Sequence, residues 1–143
     1  MLLLQIHQFQ VPFGVTDSAL VKLVAVDIYG NEGDDLSENF SITDNTSPHV
    51  TIQSTGDVNI SENVTISWSA NDNTGLDHHI ISLSIDEGEN FTYIDSVSGN
   101  DDTLIWTVPN IDTESALLSI ISVDLVGLID SDTTEIFSIL DGI

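Results

Sequence analysis

Three features of this sequence predict an all-β fold built as an antiparallel sandwich of two sheets. Apolar and polar residues alternate with the two-residue period of a strand, not at helical spacing. Clusters of Asp, Asn, Gly and Ser interrupt that alternation at short intervals. Part of the pattern is also written twice: "SALVKLVAVDIYG", Ser18 to Gly30, returns as "SALLSIISVDLVG", Ser115 to Gly127.

Shifted by 97 residues, the chain matches itself without a gap from Phe9 to Asp44, with 15 identities over 36 positions. Roughly two or three would arise by chance in such a window, so this is an internal repeat. The identities include Pro12/Pro109, Ala19/Ala116, Asp27/Asp124, Gly30/Gly127 and Phe40/Phe137. Residues 1–46 therefore read as the C-terminal half of one repeat and residues 47–143 as a complete one. Half a sandwich cannot bury its own apolar face. The first segment is expected to belong to a longer polypeptide or to borrow a partner.

Each strand of the complete repeat can be justified in turn. "NVTISWSA" turns Val64, Ile66, Trp68 and Ala70 one way and Thr65, Ser67 and Ser69 the other. "HHIISLSID" puts His79, Ile81, Leu83 and Ile85 on a shared face. "FTYIDSV" and "TLIWTV" follow. "ALLSIISVD" is apolar on both faces, which predicts a central strand, and "TEIFSIL" ends the series. The turn-forming clusters "NDNTG", "DEGEN", "SGNDD", "PNIDTES" and "DLVG" separate them. About seven short strands in a segment of this size suit a two-sheet sandwich.

The charge narrows the function. Twenty-four acidic residues stand against one base, Lys22, for a formal net charge of -23. Binding to phosphate backbones draws on Lys and Arg to release counterions, so nucleic acid is excluded as a partner. Anionic membrane surfaces are disfavoured for the same reason. Divalent cations, basic surfaces or a salty medium are favoured. Cysteine is absent, which removes disulfides, thiolate nucleophiles and Cys-based zinc sites. The opening "MLLLQIHQFQ" is too short and lacks the basic start of an export signal, and no segment is long enough to cross a bilayer.

"VTISWSANDNTG", "ISLSIDEGENFTYI" and "LIWTVPNIDTESALLSIISVDLVG" together resemble the fibronectin type III or immunoglobulin-like repeats of large prokaryotic surface proteins. The resemblance rests on Trp68 ahead of the acidic Asn71–Asn73 loop and on the hairpin residues Ser84, Asp86 and Gly88. It also rests on the strand Trp106, Thr107, Val108, Pro109 and on the ending Ala25, Asp27, Gly30, Asn31. In the second copy of that ending, Ser122 and Leu128 replace the Ala and the Asn. The linker "TDNTSPHVTI" is similar to the junctions between such tandem domains. The resemblance implies an immunoglobulin-like sandwich, an extracellular or cell-surface location, and as partners neighbouring repeats of the same polypeptide together with cell-surface or matrix ligands. It implies a structural or adhesion spacer. Two other roles stand beside it: a carbohydrate-binding or accessory module of a secreted hydrolase, and a filament subunit that exchanges strands.

Calcium is the sharpest chemical expectation. Hard divalent cations take several oxygens from carboxylates, amides and backbone carbonyls. Asp27 and Asn31 lie in a turn of the first segment, Asp44 and Asn45 in the linker, and Asp72 and Asn73 in a loop of the complete repeat. Such loops could converge at a junction and cancel charge there, as the similar cadherin-type arrays imply. Asp and Asn are equally good turn formers, and these positions are turns. Trp68 and Trp106 are expected in the core and not as sugar-stacking platforms. His7, His49, His78 and His79 are expected at edges or in solvent, because neighbours on a strand face opposite ways and do not share an ion. No nucleophile stands beside a base, so an enzyme is not expected. Five Asn-x-Ser/Thr sequons, at Asn39, Asn45, Asn59, Asn63 and Asn90, accompany a composition rich in those residues.

Overall fold

Strand-period alternation is realised as thirteen β-strands, with no helix among the described residues. The computed structural model describes residues 6–12 and 14–142; Met1 to Gln5 of the opening stretch lie outside them. The chain divides into two compact units, Met1–Asp44 and Asn45–Ile143.

The second unit carries nine strands in two sheets arranged like a sandwich. One sheet has three: β5 (His49–Ile52) and β10 (Thr103–Thr107) flank β7 (Asn63–Asn71), both antiparallel to it. The other is built on β11 (Thr113–Asp124). Along one edge β11 pairs with β8 (Leu76–Ser84), which in turn pairs with β9 (Thr92–Ser98). Along the opposite edge the first part of β11 pairs with β13 (Phe137–Leu140) and the rest with β12 (Ile129–Thr133). The short β6 (Val58–Asn59) runs parallel to β13. The central position expected for "ALLSIISVD" is thus occupied by β11, which has strand partners along both edges.

Alternation decides what is buried. Ile66 and Trp68 of β7, Ile81 and Leu83 of β8, and Ala116, Leu118 and Ile120 of β11 face inward. Trp106, Val108, Phe137 and Ile139 complete the packing around them. Both tryptophans are buried, so neither presents a stacking face to solvent. At one end the inward row changes character. Beyond Ile120, the inward residues of β11 are Ser122 and Asp124, and opposite Ser122 on β8 stands His79.

The expectation of exposed histidines fails at His79, which is fully buried. It follows Ile81 and Leu83 by strand period onto the inner face, where its ring meets the edge of Trp68 at 5.4 Å between centroids. Its nitrogens are satisfied by the Ser122 hydroxyl at 2.7 Å and the Gly99 carbonyl at 3.3 Å. Being polar did not keep it outside, because the neighbouring strand and turn supply its partners. His78 points the other way and contacts Asp77 at 2.6 Å.

The first unit repeats the register of the second. Its β1 (Thr16–Ala19) pairs with β4 (Phe40–Ile42) as Thr16 with Ile42 and Ala19 with Phe40, with an irregularity between. Ninety-seven residues on, Thr113 pairs with Ile139 and Ala116 with Phe137, with an irregularity at the same place. Likewise β2 (Lys22–Val26) pairs with β3 (Glu32–Leu36), from Lys22 with Leu36 to Val26 with Glu32. Every one of those pairs recurs at the same offset between β11 and β12. What differs is cover. Val21 is 43% exposed and Leu23 69%, whereas their counterparts Leu118 and Ile120 are fully buried.

Candidate metal centre

Two turns at the same end of the second unit carry aspartates that do local structural work with one oxygen only. In the turn between β7 and β8, Asp72 Oδ2 accepts hydrogen bonds from the Thr74 amide at 2.9 Å, the Thr74 hydroxyl at 3.0 Å and the Gly75 amide at 3.1 Å. In the turn between β11 and β12, Asp124 Oδ1 accepts from the amides of Val126 and Leu128, both at 2.9 Å. These are the local side-chain-to-backbone bonds that make Asp a turn former. Gly127 supplies the left-handed conformation the second turn needs, at φ 93°. The turns are tied together: the Leu125 amide donates to the Gly75 carbonyl at 3.2 Å.

The remaining oxygens, Asp72 Oδ1 and Asp124 Oδ2, are buried and have no hydrogen-bond partner. Asp124 is 1% exposed. A carboxylate oxygen of Asp72 lies within 4.8 Å of one of Asp124. The chain's single basic residue, Lys22, is engaged in the first unit with Asp34 at 3.3 Å, so it is not the counter-charge here.

The equivalent turn of the first unit shows what a satisfied version looks like. Asp27 Oδ1 accepts from the Tyr29 and Asn31 amides at 2.8 and 2.9 Å, as Asp124 Oδ1 does from Val126 and Leu128. Asp27 Oδ2 then accepts from the Asn31 side-chain amide at 2.9 Å. That bond, with the backbone amides behind it, holds the Asp27 carboxyl below the usual carboxylate range. In the second copy Leu128 stands where Asn31 does, and the second oxygen loses its donor. The Asp86 turn is closed in the same fashion. Asn90 donates its side-chain amide to Oδ2 at 2.7 Å and its backbone amide to Oδ1 at 2.8 Å, and the Ser84 hydroxyl adds a bond to Oδ1 at 2.7 Å. Together these lower its pKa to about 2.

Of the six residues expected to bind calcium, Asp27 and Asn31 are joined to each other in the first unit, so each already has a partner. Asp44 and Asn45 lie on either side of the division between the units. Asn45 begins the segment that enters β5, whose His49 pairs with Asn71 at the edge of the Asp72 turn. Asp72 carries one of the two bare oxygens, and Asn73 is the next residue of its turn. The carboxylate that sequence reasoning passed over is Asp124. Its signal was in the repeat: it aligns with Asp27, while Leu128 breaks the Asn that would have satisfied it.

Three buried or half-buried groups thus gather at this end of the sandwich: Asp72, Asp124 and the His79–Ser122 pair one step along β11. The chain matches no protein-family model and no curated protein sequence.

Proposed function

We propose that this chain is part of a row of immunoglobulin-like or fibronectin III-like sandwich units, serving outside the cell as a structural or adhesion spacer. The observation that carries this reading is the recurrence of strand register at a 97-residue offset, pair for pair, in β1–β4 with β11–β13 and in β2–β3 with β11–β12. A sequence that returns to the same pairings builds the same strand arrangement again, and units in series make length. The strand orders support the immunoglobulin-like form: β10–β7–β5 in one sheet, and β9–β8–β11 with β12 and β13 in the other.

The acidity supports a location in a salty external medium, where screening relieves self-repulsion. Pro48, directly ahead of β5, stiffens the link between units. The uncovered apolar positions of the first unit support neighbouring repeats as the partners. A carbohydrate-binding role would draw on exposed aromatic platforms, and both tryptophans are in the core.

Pulling the chain by its two ends tests the reading. A spacer unit should yield in one cooperative rupture that releases roughly 300 Å of chain, the extended length of a unit of this size less its folded span. Gradual extension with no rupture would remove the mechanical role.

A further inference from the structure

We propose that Asp72 and Asp124 hold a hard divalent cation of calcium size at the end of the second unit. The two bare oxygens argue for it. A buried carboxylate oxygen with no donor has given up hydration and received nothing in return. Here two such oxygens belong to like-charged groups that approach within 4.8 Å of each other, which adds repulsion. A cation removes both costs together.

The geometry suits calcium. Its oxygen ligands sit about 2.3–2.6 Å from the ion, so two that share one ion are at most about 5 Å apart. Each aspartate is also fixed in place before any ion arrives, since its other oxygen is held by two or three donors of its own turn. The Leu125–Gly75 bond holds the two turns at a constant separation. Two anchored protein carboxylates leave the ion's remaining positions to other oxygen ligands.

The repeat supplies an internal control. Asp27 sits in the same turn with the same two backbone donors, but Asn31 occupies its second oxygen. The exchange of Asn31 for Leu128 between copies strips the one donor that would satisfy Asp124 Oδ2 without an ion. This inference concerns the second unit alone and does not depend on the spacer reading.

Thermal melts and calorimetric titration of the full chain with calcium chloride test it. A background of about 0.5 M sodium chloride, where the Debye length is a few ångström, suppresses diffuse binding to the acidic surface. Millimolar calcium should raise the midpoint of the main transition by about 5 °C or more. Asp72→Asn and Asp124→Asn keep the turn-forming oxygen and should lose that rise, while Asp27→Asn should retain it. Leu128→Asn provides a variant that adds a bond instead of removing one. Its side-chain amide should cap Asp124 Oδ2, raise the midpoint without calcium and blunt the response to it. No shift in the native chain, a full shift in Asp124→Asn or Leu128→Asn, or loss of the shift in Asp27→Asn would each overturn the proposal.

Discussion

His79 shows how a single residue can be polar, buried and stabilising only over part of the pH range. Burial disfavours its charged form and lowers its pKa below the ordinary 6.5. In the unfolded chain the ring titrates at the ordinary value. The fold therefore prefers the neutral ring, and its contribution is complete above about pH 6.5. As pH falls below that, the unfolded chain takes up a proton the native ring resists, and stability is lost until the lower folded value is reached. Urea midpoints measured at pH 7.5 and pH 5.5 should fall across that interval, and His79→Gln should flatten the part of the slope that belongs to this ring. An unchanged slope in the variant would mean other groups carry it. The turn beside His79 is equally constrained. A Cβ on Gly99 would clash with the Leu76 carbonyl oxygen, so only glycine lets the turn pass here and bring the Gly99 carbonyl to the ring. Neither fact is visible in "HHIISLSID" alone. The strand period put His79 on the apolar face, but its partners, Ser122 and Gly99, are 43 and 20 residues away in sequence.

At the scale of elements, some of the acidity is structural. The outer edge of β5 has backbone amides that its partner β7 does not use. Asp130 and Asp132 of β12 serve them: Asp130 Oδ2 accepts from the Val50 amide at 3.0 Å and Asp132 Oδ2 from the Ile52 amide at 2.9 Å. Two alternate carboxylates on one strand thereby take the place of a ladder partner for its neighbour. Simple charge counting says that removing an acid from a chain of net charge -23 should stabilise it. The hydrogen bond says the opposite. Asp132→Ala should cost about 1–3 kcal/mol, the range for a bond to a charged acceptor whose donor is then left bare. Denaturant titration decides between them, and a rise in stability would show that repulsion dominates. This arrangement could not be read from the chain, because "IDSDT" looks like an exposed polar strand until β5 is placed beside it.

For the molecule as a whole, the two matching segments offer a comparison in which strand register is constant and surroundings differ. Leu118 and Val21 accept equivalent backbone bonds, from Thr134 and Ser37, and Ile120 and Leu23 share a register position, yet one member of each pair is buried and the other exposed. Leu118→Ala should cost about 2–5 kcal/mol, as a core truncation does. Leu23→Ala should change stability by no more than about 0.5 kcal/mol, the range of an ordinary surface substitution. Chemical denaturation of the two variants gives the comparison, and equal costs would mean that Leu23 is covered in solution.

Read alone, the chain already specified the all-β class, the alternation that selects the core, the central place of β11 and its own self-similarity at a 97-residue offset. All of these depend on neighbours along the chain or on self-similarity, which one dimension contains. It also marked the turns in which these aspartates sit, because an Asp that bonds to amides two to four residues on needs only local chain. Tertiary structure decided which of those aspartates were left with a bare oxygen, that Asp72 and Asp124 stand together, and that His79 is enclosed. Burial and pairing of groups on separate strands depend on how sheets close over one another, and that closure joins residues the sequence keeps about 50 positions apart.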